Sequence, residues 1–351
     1  MTGRRQVGIV GADAPRQIVL AAGAVPVRLH GAWHGEVSPD ASELLGVSDA
    51  VALRLLDELL GGAHDGLDGL VVCNDSAANL RLFYVLRVLA DRGRVRFPVM
   101  LLDVPRGLGA PRERFVARQY ARLAAFCSSL TGEPVDAHSL ASAATRERAL
   151  GEALARLRAR RVGGECTGSA ALAAYAAAAT RAPEDAVAFI DAARTAPAAD
   201  AAPIVVTGSS HPDPTVYDAI EATGLVVRAE DHDAGDASWI GEAADGSSLE
   251  EVCASLAREH ARRPPLAARS RSRERAAALA AVVSRVDARG VLALARDLDD
   301  APAWDLAAQR TAMSDVGLPL EERVRIAPES AARDASEAAI ALRARIVKEP
   351  A

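Results

Sequence analysis

Three kinds of side chain in this sequence could carry chemistry: four cysteines, two histidines in polar turns, and short loops of small or acidic residues that follow apolar runs. Cys73, Cys127, Cys166 and Cys253 lie far apart and show no CxxC spacing, so neither a zinc site nor a disulfide framework is signalled. Cys73 ends the apolar run that begins at Leu70, a place where cysteine serves either as a small buried hydrophobe or as a thiolate ligand. His232 stands between Asp231 and Asp233, and reads as a metal ligand, a base, or a member of a solvated polar turn. His211 precedes Pro212 in an evident turn. Gly208, Ser209 and Ser210 follow Thr207 in a small-residue loop. Such a loop lets backbone amides approach an anion at a helix start, or is simply a tight turn, since the P-loop lysine and the full dinucleotide glycine pattern are absent. No Ser-His-Asp or Cys-His set is composed by spacing.

The elements that must position these residues are alternating strands and helices. Leu67 to Leu80 reads as an Asp-Gly turn, a buried strand, the polar cluster Asn74-Asp75-Ser76, and a helix from Ala77 to Asp91. In open parallel α/β sheets, ligands sit outside the carboxyl ends of the strands, so this loop is where chemistry is expected. Upstream, strand Val7 to Val10, helix Arg16 to Ala22 and strand Val25 to Leu29 form a strand-helix-strand unit, which forces a crossover and a parallel sheet. A helix over Ala50 to Leu60 ends at Gly61-Gly62, and strand Phe97 to Leu102 leads into Asp103-Val104-Pro105-Arg106. Helical patterns over Pro111 to Thr131 and Ala137 to about Arg161 follow, then alanine-rich Cys166 to Arg194 and a linker at Thr195 to Pro203. A second α/β unit opens with strand Ile204 to Val206, helix Asp213 to Ala222 and strand Leu225 to Arg228. It continues with helices Leu249 to Arg262 and Arg273 to Ala288, strand Gly290 to Ala293, helix Trp304 to Ser314, a short strand after Gly317, and helix Ser330 to Val347. The expected division is an N-terminal α/β domain with a helical tail (1–162), a helical connection (163–203) and a C-terminal α/β domain (204–351).

Composition bounds the partners. The 351 residues suit two domains, and a hydrophobic share of 50% with only 3% aromatic means cores built from Ala, Leu and Val. The net charge of −6 gives no electrostatic case for nucleic acid or an anionic membrane. Two arginines precede the first apolar run, but Asp13, Pro15, Arg16 and Gln17 interrupt it, and no stretch approaches the roughly 18 apolar residues of a membrane span. A cytoplasmic protein is expected.

The stretches VGIVGADAPRQIVLAAGAVPVRL, LDGLVV, PVMLLDVPR, Tyr120 to Leu140, IVVTGSS, AIEATGLVV with its following D.DAG loop, and VGLPL occur in an order that resembles the 2-hydroxyacyl-CoA dehydratase D-component family. That family includes the 2-hydroxyglutaryl-CoA dehydratase and benzoyl-CoA reductase subunits. The resemblance implies two flavodoxin-like (Rossmann-like) domains with parallel sheets and a cleft, action on an acyl-CoA, and pairing with a sister subunit in a heterodimer or with a second copy in a homodimer. It also implies a 4Fe-4S cluster held by three cysteines and reduced by an ATP-driven activator. At the aligned positions this chain has Asp49, Ser76 and Asp299, with Cys73 three residues before Ser76. Hard oxygen donors are poor substitutes for thiolate sulfur in such a cluster. The expectation is therefore a subunit lacking its own iron–sulfur cluster and acting with a partner, or a cluster-free scaffold or small-molecule binder.

Overall fold

A computed structural model describes residues 4–211 and 213–348; Pro212, which the reading of the His211 turn used, lies outside them. The chain forms two compact α/β units. The first comprises the chain up to Ala153 together with Ala177–Ala188 and Trp239–Arg263; the second comprises Leu154–Ala176, Phe189–Ser238 and the chain from Pro264 onward. This differs from the linear division at 162 and 203, because packing rather than chain order assigns the helix after Trp239 to the first unit.

The first unit holds β1 (Gln6–Val10), α1 (Arg16–Ala21), β2 (Val25–Leu29), α2 (Pro39–Leu45), α3 (Ala50–Leu60), β3 (Gly69–Cys73), α4 (Ala77–Asp91), β4 (Val99–Leu102) and α5 (Ala110–Thr131). Then come α6 (Ala137–Val162), α7 (Gly168–Thr180) and α8 (Pro183–Ala192), each of which has residues in both units. The second unit begins with β5 (Ala202–Gly208), α9 (Thr215–Glu221) and β6 (Leu225–Glu230). α10 (Leu249–Arg262) returns to the first, and α11 (Ser272–Arg285), β7 (Val291–Arg296), α12 (Asp300–Asp315), β8 (Leu320–Ile326) and α13 (Ala331–Lys348) complete the second.

Each unit has one four-stranded parallel sheet, ordered β2-β1-β3-β4 in the first and β6-β5-β7-β8 in the second. This is the mixed α/β architecture with two flavodoxin-like sheets expected from the sequence. In the first unit the period-two pleat sends Val7, Ile9, Val71 and Cys73 to a core shared with α1, α5 and α10, and Val10, Leu70 and Val72 to a core shared with α3 and α4. The sheet is therefore covered on both faces, as parallel sheets require. Chain order reverses between β1 and β3 in one sheet and between β5 and β7 in the other, which makes those strand ends the topological switch points where ligands bind in such folds.

The segment read as a linker runs directly into β5, and β5, β6 and β7 extend past the apolar runs that signal them. α12 starts at Asp300 instead of Trp304 because Pro302 falls in the first turn, where its missing N–H leaves nothing unpaired. α2, preceded by a Gly-rich loop and opened by Ser38-Pro39, was not expected from periodicity.

Candidate functional site

At the switch point of the first unit, the loop after β1 is gripped by the loop after β3. Gly11 turns with φ of +92°, and a Cβ there would collide with the Asp75 carboxylate. That carboxylate accepts the Ala12 amide at 2.8 Å on Oδ2 and the Asn79 side chain at 2.7 Å on Oδ1. Next door, the Asn74 amide donates to Asp103 at 3.0 Å, which ties the β3 loop to the β4 loop. Ser76 is the N-cap of α4 and accepts from the Asn79 amide at 3.1 Å; Asp49 is the N-cap of α3 and accepts from the Val51 amide at 3.3 Å. Both residues are among the preferred N-cap types.

Behind this loop lies a buried polar set that spacing did not reveal. Asp13 Oδ1 stands 2.8 Å from His260 Nε2 and 3.0 Å from Arg263 Nη1. Arg112 Nη2 donates to His260 Nδ1 at 2.8 Å. A guanidinium cannot accept, so Nδ1 carries the lone pair and Nε2 carries the proton given to Asp13. Burial, reinforced by Arg263 and Arg112 and opposed by Asp13, lowers the His260 pKa to about 4. Burial pushes the Asp13 carboxyl up, but its bond from His260 and the Arg263 and Arg106 charges hold it below the ordinary value. The imidazole is neutral with both nitrogens engaged, so it positions Asp13 and has no free valence to act as a base. Trp239 closes the set, edge-on to His260 at 4.8 Å and stacked on Tyr120 at 6.0 Å.

In the second unit the same kind of grip recurs. Gly208 has φ of +118° and lies so close to the Leu294 carbonyl on β7 that no side chain fits. Ser209 donates to Asp299 Oδ2 at 2.7 Å while accepting the Arg296 amide at 3.0 Å. Arg296 reaches Asp299 at 3.4 Å and donates to the Ser210 carbonyl. The structure thus brings Ser209, Ser210 and Asp299 together, with their polar groups turned on one another. Asp299 is the N-cap of α12, preceded by Leu298 at φ of +60°, a strained conformation for a leucine. Deeper, Arg275 bonds Asp305 at 3.1 Å and Asp231 at 3.2 Å, while Thr207 donates to Asp231 at 2.8 Å and accepts from Gln309 at 3.0 Å.

His232 is 3% exposed, which overturns the solvated-turn reading of its loop. Its Nε2 lies 2.8 Å from the Tyr217 hydroxyl, which also approaches Glu230 at 3.3 Å. Arg161 holds Glu230 through two bonds of 3.0 and 2.7 Å. Burial lowers the His232 pKa against the pull of Glu230, Asp233 and Asp231, and the Nδ1 atom has no hydrogen-bond partner. The adjacent His211 is also lowered by burial, with His232 and Arg296 adding to it; the two rings are 5.6 Å apart. With Nδ1 unpartnered, the His232 ring has the valence a proton-transfer group needs.

The thiols are elsewhere. Cys73 sits at the end of β3 in the core, where burial followed by the Asp75 and Asp13 charges raises its pKa well above the ordinary value. Burial pushes Cys127 and Cys253 up to about 12 and raises Cys166. All four are free and buried. Among the described residues no group of three or more His, Cys, Asp or Glu side chains stands close enough to hold a metal ion, and no helix is long and apolar enough to cross a membrane. The oxygen donors at 49, 76 and 299 and the buried thiols do not fit an iron–sulfur cluster, whose irons need thiolates.

Residues 12–320 match the family described as 2-hydroxyglutaryl-CoA dehydratase, D-component. No match was found among curated proteins.

Proposed function

The chain belongs to the 2-hydroxyglutaryl-CoA dehydratase D-component family, and from that premise we propose that it is a dehydratase-like or benzoyl-CoA reductase-like subunit that acts on an acyl-CoA without a cluster of its own. A partner subunit with intact cysteines supplies the redox chemistry. The observation that carries this reading is common to all three aligned ligand positions. Asp49, Ser76 and Asp299 each occupy a helix N-cap. A cysteine at a helix N-terminus has its thiolate favoured by the helix dipole and free amides, so the backbone keeps a frame suited to thiolates while the side chains are oxygen donors. Two of the three now spend those oxygens on capping their own helices.

The second reading, a cluster-free binding or scaffold protein, is favoured by the inward-turned polar groups of Ser209, Ser210 and Asp299. One experiment separates them. The chain is purified anaerobically, alone and co-expressed with a cysteine-bearing homologue. The subunit reading expects a colourless, iron-free single chain that co-purifies with the homologue in a brown complex absorbing at about 400 nm. A brown single chain with about four irons refutes the cluster-free premise; a colourless chain that never retains the homologue supports the binding or scaffold reading.

A further inference from the structure

The outer face of α13 carries exposed apolar side chains beside an open groove. The inner face of this helix, Ala335, Ala338, Ala339, Leu342 and Ile346, is buried against the second sheet. On the outer face Ser336, Ile340, Ala344 and Val347 follow at intervals of four, four and three residues, a continuous helical stripe. Ile340 is 58% and Val347 71% exposed. Between this stripe and the end of α9, at Ala222 and Thr223, runs an open groove of about 610 Å³. Exposed apolar residues contiguous with a groove mark a contact surface.

We propose that the occupant is the α13 of a second copy of this chain, packed antiparallel about a two-fold axis through Ile340. The register follows from the sequence. In that arrangement residues whose numbers sum to a constant face one another, so Ile340 meets Ile340. Ser336 meets Ala344 on either side, and these small residues let the helices approach. Glu337 faces Arg343 twice by symmetry, a pairing of opposite charges; a parallel pair would set Glu337 on Glu337 and Arg343 on Arg343. A two-fold interface demands this kind of self-complementarity. Both charged groups are at the surface, where Glu337 contacts Arg323 at 3.2 Å and Arg343 donates to the Thr223 carbonyl at 2.7 Å. The groove lies beside Thr223, just ahead of the start of β6, so pairing there leaves the strand-end loops of the second sheet open. A single helix pair buries less than the roughly 1,000 Å² of a stable interface, so the dimer is weak and reversible. This surface is independent of the function proposed above.

The test is sedimentation velocity of the full chain from about 5 to 500 µM, with circular dichroism to establish that each variant is folded. The wild type is expected to shift from monomer toward dimer with concentration, and Ile340→Glu to weaken association at least about tenfold. Glu337→Arg and Arg343→Glu each weaken it, and the two together restore it. A wild type that stays monomeric throughout overturns the proposal. So does a dimer indifferent to Ile340→Glu, or a folded double charge swap that fails to recover association. Loss of a sister subunit, in place of self-association, on Ile340→Glu assigns the face to another partner and likewise overturns it.

Discussion

Asp75 accepts the backbone amide of Ala12 across the switch point of the first sheet at 2.8 Å, directly under a Gly11 that no larger residue could replace. In the second sheet Asp299 does the corresponding work on Ser209 at 2.7 Å. In both units a carboxylate from the third strand of the order fixes the loop of the second. Where a ligand-binding fold places flexible, ligand-accepting loops, this chain has loops stitched to each other.

Replacing Asp75 with Ala leaves the Ala12 amide and the Asn79 side chain without their buried acceptor. Unsatisfied buried donors cost about 1–3 kcal/mol each. Asp75→Ala is expected to lower unfolding stability in urea by about 2–4 kcal/mol, whereas Asp68→Ala, at the opposite end of β3 and paired with the exposed Arg5, changes it by less.

Stability should fall in mild acid. His260 resists protonation in the folded state, with a pKa of about 4 against about 6.5 in the unfolded chain. Between these values the unfolded state takes up a proton that the folded state refuses. The chain is therefore most stable above about pH 6.5 and loses about 3 kcal/mol on this account by pH 4. His211 and His232, also lowered by burial, act in the same direction. Denaturant titrations from pH 8 to 4 check it, and His260→Gln should flatten part of the slope. A wild-type midpoint that does not move over this range refutes the assignment.

The four thiols should be silent. With every cysteine buried, a thiol reagent such as dithionitrobenzoate is expected to label well under one group per native chain within minutes and all four after denaturation. Rapid labelling of one thiol in the native protein would reveal an accessible cysteine, Cys73 being the one that matters for metal binding.

Arg275 sits between Asp231 and Asp305 with 1% of its side chain exposed. Removing one member of a buried ion pair costs about 3–5 kcal/mol. Arg275→Met should lower the thermal midpoint by about 4–7 °C, the shift that loss implies for a chain of this size, and Arg310→Met, an exposed pair with Glu322, should leave it nearly unchanged.

Local features carried well from sequence to structure, and distant ones did not. α4 begins and ends where periodicity placed it, because Ser76 caps its start and the apolar face is regular. The strand-end positions of Cys73, Ser209 and Asp299 were legible for the same reason: each follows an apolar run that ends in polar residues. Asp13 and His260 were not, since 247 residues separate them and nothing local marks either as a partner. The interior position of His232 was also hidden. Flanking aspartates signal a wet turn, but Arg275 and Arg161, supplied by α11 and α6, balance the buried Asp231 and Glu230.

The return of α10 to the first unit has an evolutionary and practical corollary. A gene split or a truncation anywhere before residue 263 leaves the first half without the helix that seals Cys127 and Tyr120 and delivers His260 to Asp13. The first unit is therefore not a contiguous module: cut anywhere before residue 263, it cannot be inherited, recombined or expressed alone without leaving an unsealed core.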